Sequence, residues 1–411
     1  MANTPAPSHH SQTAVQATFH DINTIRTLAV NAVQKANHDH PGTLLMLAPT
    51  EKDNEEVQRW SEGKANDWYR KQPWLVGANY IPAAAINQLE MWQAETFDPA
   101  RIDQELSWAQ DLGMNTMRVF LHDLLWQQDK VGFRRRLDTF LTIARKHKIR
   151  PLLVLFDSVW DPNPQLGPQR APQPGLHNSG WMQNPGAKAL QDAKQHPRLE
   201  AYVKGVMGAF ANDDRILAWD VWNEPDNLNI PAYANQEPEN KGDLVLALLP
   251  RVFTWARSAH PCQPLTSGVW KGNWSASERL SAIQCVQLEQ SDIISFHSYD
   301  HPEEFERRIQ WLQRYKRPLF CTEYLARADQ STFQGTMPLA RKYNVALYNW
   351  GLVVGKTQTH LPWDSWQKPY ADEPDLWFHE IFGIDGRPYR QDEVDFIREI
   401  TGKHHPVRQA A

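Results

Sequence analysis

Two glutamates occupy matching places in this chain. Residues 216–222 form an apolar, β-branched and aromatic run followed by Asn223 and Glu224, and residues 317–322 form a second run closed by Glu323. Both runs read as buried strands. A carboxyl at the end of a buried strand is held at a defined place. Pro225 is expected to stop the ladder and to keep Glu224 in extended backbone. Two carboxyls that reach one bond can divide the acid and nucleophile roles between them, which is what hydrolysis of a glycosidic bond requires. A separation of about 5–5.5 Å gives retention of configuration, and about 6.5–9.5 Å gives inversion. Repulsion between the two raises one pKa and keeps that group protonated as the acid.

Such a pair needs a frame that brings two strand ends together. Strands are expected at 74–80, 115–121, 150–156, 216–222, 264–269, 292–297, 317–323 and 345–350. Helices are expected at 99–112, 133–147, 199–211, 244–260, 278–289, 302–315, 337–342 and 392–401. Eight strands alternating with helices predict an α/β fold, the (β/α)8 TIM barrel. The alternative is a doubly wound open sheet, but no Gly-rich phosphate turn follows an early strand. In a barrel, strands four and seven face one another across the mouth, and sites gather at the C-terminal strand ends. Those ends carry Asn79-Tyr80, Arg118 to His122, Asp157 to Trp160, Asn223-Glu224, Trp270, His297 to Tyr299, Glu323-Tyr324 and Asn349-Trp350. Nearly all are polar or aromatic. A helix over 55–71 is expected to cap one end of a barrel domain that occupies 51–411, behind an N-terminal extension at 1–50 with helical spacing near 21–36.

Composition narrows the partners. The chain has 411 residues, 41% hydrophobic and 11% aromatic, enough for a large core. A net charge of -5 without a basic block points away from nucleic acid and from anionic membranes, and no run is long enough to span a bilayer. A neutral partner is expected. Eighteen tryptophans suit stacking on sugar rings, although most tryptophans pack cores. Cys262, Cys285 and Cys321 lack metal-ligand spacing, and their odd number argues against a disulfide framework. The first residues show neither a positive n-region nor an apolar h-region, so the chain as it stands is expected to be cytoplasmic. The short apolar run at 43–49 is the alternative, the relic of an export signal behind a misassigned start.

As a set, Trp-Asn-Glu-Pro at 222–225, Phe-His-Ser-Tyr at 296–299, Thr-Glu-Tyr at 322–324 and Tyr-Asn-Trp-Gly at 348–351 resemble the signatures of glycoside hydrolase family 5, a retaining clan. The resemblance covers residues 74 to 400. It implies a cellulase-like β-glycoside hydrolase without metal or organic cofactor, acting on β-mannosides, β-glucans or related glycans. By the same resemblance Glu224 is the acid/base and Glu323 the nucleophile. Asn223 donates to the sugar 2-hydroxyl, Arg118 keeps the nucleophile ionised, His297 orients the acid/base, Tyr299 bonds near Glu323, and Trp350 floors the subsite of the scissile sugar.

One position departs from the family pattern. A histidine is usual at the end of strand three, where this chain has Asp157 and Ser158. Asp157 or Ser158 is expected to replace its sugar contact, or His122 to fill the space. Two long polar loops, 161–188 with Trp181 and 357–377 with Trp363, Trp366, Tyr370 and Trp377, are expected to wall one end of the cleft. Two rival readings are a carbohydrate-binding barrel without catalysis and a metal-dependent barrel hydrolase. The second needs His and Asp ligands clustered at several strand ends, and no expected strand end carries a His-x-His.

Overall fold

The computed structural model describes residues 58–230 and 232–403, so the extension at 1–50 and the helical spacing near 21–36 lie outside the described residues. Eight parallel strands are present: β1 (Val76–Asn79), β2 (Thr116–Phe120), β3 (Arg150–Val154), β4 (Ala218–Asp220), β5 (Leu265–Thr266), β6 (Ile294–His297), β7 (Leu319–Tyr324) and β8 (Ala346–Trp350). Their order in the sheet is β5-β4-β3-β2-β1-β8-β7-β6. The sheet curls shut between β5 and β6. There Asp292 N–H donates to the Leu265 carbonyl at 2.8 Å, Val269 N–H to Ser295 at 3.1 Å and His297 N–H to Val269 at 3.0 Å. The result is a (β/α)8 barrel, whose closure leaves no strand edge unpaired.

Helices alternate with the strands along its outside, where local signals start them. Asp98 accepts from Arg101 N–H ahead of Pro99–Asp111, with Pro99 in the first turn. Ser281 and Gln284 form a capping box at Ala282–Gln290. The helix expected at 133–147 begins ten residues earlier, as Asp123–Lys146 broken at Asp129 (φ -157°, ψ 75°). The cause is local: the Asp129 carboxylate accepts from Gly132 N–H at 2.8 Å and caps the second segment.

Inside the barrel, Phe120, Leu152, Val154, Leu217, Phe320 and Tyr348 are buried. The helix Glu62–Arg70 plugs one end of this interior. Tyr69 and Trp68 lie 5.5 and 6.4 Å from the Phe320 ring, and Tyr69 OH donates to the Asn344 carbonyl at 2.8 Å. Burying a side chain of the size of Phe320 contributes about 1.5–3 kcal/mol.

Loops govern the other end. The loop after β3 and the loop after β8 are joined by a series of hydrogen bonds. Asn178 N–H donates to the Thr357 carbonyl at 2.7 Å, Tyr370 N–H to Gly175 at 2.9 Å, and His177 N–H to Ser365 Oγ at 3.0 Å. Trp160 and Trp366 stack across the same seam at 5.3 Å. Strands β2 and β1 lie between β3 and β8 in the sheet, so this seam bridges their side of the mouth. The loop after β4 joins them, with Arg170 Nη2 donating to Tyr233 OH at 2.8 Å and Trp160 N–H to Asn229 Oδ1 at 2.7 Å.

Candidate active site

Arg118 organises the centre of the mouth. It projects from β2, is fully buried, and uses all of its donor directions. Nη1 donates to Glu323 Oε1 at 2.8 Å and to Asn79 Oδ1 at 2.9 Å. Nη2 donates to Asp220 Oδ2 and to Asn223 Oδ1, both at 2.7 Å, and Nε reaches Asp220 Oδ2 at 3.2 Å. Burial alone would lower its pKa, but the carboxylates of Asp220 and Glu323 outweigh it and hold the guanidinium above its ordinary value. Asp220 is the residue that sequence reasoning missed here. A charged side chain inside an apolar strand demands a buried partner, and that was the available signal.

A β-bulge aims Glu323. Phe296 pairs with Cys321 but His297 pairs with Glu323, so β7 carries one extra residue there, and the same irregularity recurs against β8. Besides the Arg118 contact, Glu323 Oε2 accepts from Tyr299 OH at 2.7 Å. Burial pushes the Glu323 carboxyl above its usual range and Glu224 adds to the rise, while His297, Arg118 and the Tyr299 hydroxyl oppose it.

Glu224 has a different setting. Its oxygens meet His297 Nδ1–H at 2.8 Å and Asn227 Nδ2–H at 2.6 Å, and among the described residues no Lys or Arg touches it. Burial lifts its carboxyl to about 7, and burial drops the His297 imidazole to about 4, so that ring is neutral. The backbone corrects one expectation. Glu224 is not extended; its φ is +42°, a left-handed conformation that a non-glycine residue adopts at a cost. Surrounding bonds impose it: Ser158 N–H donates to the Asn223 carbonyl at 3.1 Å, Ser158 Oγ to the Pro225 carbonyl at 3.0 Å, and Asn227 N–H to the Glu224 carbonyl at 2.9 Å.

One oxygen of Glu224, one of Glu323 and His297 Nδ1 lie within 4.8 Å of one another. Oxygens that close fit the short separation of a retaining pair. Three such ligand atoms could also surround a divalent ion. Here both oxygens of Glu323 already accept from Arg118 and Tyr299, and the guanidinium charge 2.8 Å away repels a second cation.

The sequence-expected residues separate into two groups. Asn223, Glu224, His297, Tyr299, Glu323 and Trp350 line one cavity of about 640 Å³, the size of a small-molecule site, and Arg118 braces them from below. Gly351 lets the chain turn directly after Trp350 at φ +77°, where a side chain would strike the Glu380 carboxyl. Asp157, His122 and Trp181 do not line this cavity. Asp157 is sealed beneath Trp181, whose Nε1–H donates to Oδ2 at 2.7 Å, while Oδ1 accepts from Asn223 Nδ2–H at 2.9 Å. Burial raises the Asp157 carboxyl to about 7. His122 caps the helix Asp123–Lys146 and donates from Nε2 to the Gln183 carbonyl at 2.9 Å. Trp181 packs edge-on against Trp350, with ring centres 6.0 Å apart.

Two buried glutamates and Trp350 line one cavity of a parallel barrel, the arrangement of a (β/α)8 glycoside hydrolase. The family described as Cellulase (glycosyl hydrolase family 5) matches residues 90–368, more than half of the chain, and the chain belongs to that family of retaining O-glycosyl hydrolases. Solved structures share the fold at low identity. A GH5_18 enzyme from Streptomyces cattleya, in complex with Manβ1-4GlcNAc, has a TM-score of 0.53 at 12% identity over 79% of this chain and 80% of its own. The exo-β-1,4-mannosidase Op5Man5 from Opitutaceae bacterium strain TAV5 has a TM-score of 0.52 at 20% identity over 80% and 60%. The endo-β-1,4-mannanase from Thermotoga petrophila has a TM-score of 0.50 at 14% identity over 80% and 76%. No curated protein sequence matches the chain.

Proposed function

We propose that this enzyme cleaves β-linked glycans or short β-oligosaccharides, of β-mannoside or β-glucan type, by a two-glutamate double displacement. The carrying observation is that two glutamates within 4.8 Å have opposite surroundings, a guanidinium on Glu323 and only neutral donors on Glu224. Glu323, ionised, attacks the anomeric carbon. Glu224, protonated, gives its proton to the departing glycosidic oxygen, and a glycosyl-enzyme forms. Glu224 then takes a proton from water, which attacks the same carbon and releases Glu323. Asn223 uses one Nδ2 hydrogen on Asp157 and has the other for the sugar 2-hydroxyl, with Trp350 beneath the ring. Asp157 thus acts on the sugar through Asn223.

β-Mannosides come first in a substrate panel because two of the similar structures are a β-1,4-mannosidase and a β-1,4-mannanase. The test is proton NMR of the first-formed product from aryl β-mannoside and β-glucoside. The expected product is the β-anomer, appearing before mutarotation; α-anomer first would overturn the double displacement.

A further inference from the structure

The wall built by the two joined loops carries hydrogen-bonding groups that the mechanism above leaves unused. His177, Asn178 and His379 all line the cavity and are almost wholly buried. His177 Nδ1–H donates to the Leu361 carbonyl at 2.7 Å, and His379 Nδ1–H donates to the Leu325 carbonyl. These bonds fix both rings as tautomers in which Nε2 is an acceptor. Neither Nε2 has a protein partner among the described residues. Burial lowers His177 to about 4 and takes His379 well below its ordinary value, so both stay neutral and able to accept. Asn178 lines the cavity beside them and is held at φ +50° by the seam itself, while its Oδ1 is turned away from solvent with no partner among the described residues.

A histidine Nε2 that has no protein partner and lines a cavity takes its hydrogen bond from whatever fills that cavity, water or a ligand hydroxyl. The two rings lie 5.6 Å apart, and His379 is 5.7 Å from Tyr299, which bonds Glu323. The acceptors therefore stand next to the place where the sugar over Trp350 must sit. The seam that carries them bridges the β1–β2 side of the mouth, so a glycan cannot continue through the wall.

We propose that His177 and His379, held on the loop seam beside Asn178, form a hydroxyl-reading end wall that receives the terminal sugar of a β-glycan, making this enzyme act from a chain end. The proposal rests on the glycosidase reading for its chemistry, but the wall binds sugar whether or not turnover follows. Asparagine in place of either histidine can keep the donor to the backbone carbonyl while deleting the acceptor at the Nε2 position; glutamine places a polar group near Nε2 instead.

The experiment is a titration of the Glu323→Ala protein, which does not consume the ligand, and of the same protein carrying H177N, H379N or H379Q, with mannotriose and cellotriose, read by tryptophan fluorescence. The Glu323→Ala parent should bind at least one of the two, each added Asn variant about tenfold more weakly, and H379Q in between, with unchanged melting temperatures. Equal affinity in the parent and both Asn variants, or no binding by the parent, overturns the wall. For action, products from mannan and β-glucan should be mono- or disaccharides with viscosity retained. Rapid viscosity loss with a spread of oligosaccharides overturns end attack while leaving the glycosidase reading standing. That reading fails separately if Glu323→Ala keeps wild-type turnover.

Discussion

Glu224 and Glu323 are the same residue at the ends of facing strands, yet the fold treats them differently. Glu323 sits in a bulged but continuous strand, with a guanidinium on one oxygen and a phenol on the other. Glu224 sits where the strand has ended, in a left-handed backbone, with an imidazole and an amide as its donors. Both carboxyls are raised by burial. Contact with a cation then decides which one ionises first, because a charge-assisted bond stabilises the carboxylate far more than a neutral donor does. The difference teaches that the roles are assigned by neighbours and not by the strand ends themselves.

Removing each acid should break the comparison most severely. Glu323→Ala is expected to lower kcat on an aryl β-glycoside on the order of 10⁵-fold. Added azide should restore release and yield the α-glycosyl azide, identified by NMR; wild-type-like rates in that variant would sink the assignment. Glu224→Ala should cost about 10²–10⁴-fold with a poor leaving group and much less with dinitrophenolate, since only the former needs a proton. Azide should here give the β-glycosyl azide. If leaving-group pKa made no difference, Glu224 would not be the acid.

Tyr299→Phe takes one donor from the ionised partner alone. Loss of a hydrogen bond to a charged group predicts a fall in kcat/KM of about 10–100-fold. The sign follows from the proposed role: as nucleophile Glu323 must be deprotonated, Tyr299 lowers its pKa, and without Tyr299 the acid limb of the pH profile should move up. The basic limb, set by Glu224, should stay in place.

Legibility in the sequence followed the same division between strand and loop. The eight strands were readable because buried parallel strands are continuous apolar runs, and their polar last residues marked Arg118, Asn223, Glu224, His297, Tyr299, Glu323 and Trp350. The bulge at Glu323 was not, because it arises from pairing with two neighbours. Asp157 and His122 also end strands, but whether such a residue meets the cleft depends on what folds over it. Trp181 folds over Asp157 from 24 residues away. His177, Asn178 and His379 lie in loops without periodicity, and they become a wall only through bonds such as Asn178 to Thr357. The Glu224 backbone failed as an expectation for a related reason. Proline disfavours the right-handed region for the preceding residue, and that preference alone did not show that tertiary bonds would force the left-handed one.

The smallest predicted effect isolates Glu224's own environment. As the proposed acid Glu224 must be protonated, so kcat/KM should fall as pH rises through a value near 7. Asn227 donates to its Oε2 and thereby favours the carboxylate, which lowers that pKa against the larger upward push of burial. Asn227→Ala should raise it, moving the basic limb up by about one pH unit or less and changing the plateau rate by less than about tenfold. The acid limb should not move, because Asn227 does not touch Glu323. Tyr299→Phe and Asn227→Ala therefore shift opposite limbs in the same direction, each leaving the other's limb alone. A profile in which both variants moved one shared limb would mean that the two carboxyls titrate as a single coupled pair, and that their different neighbours do not separate their roles.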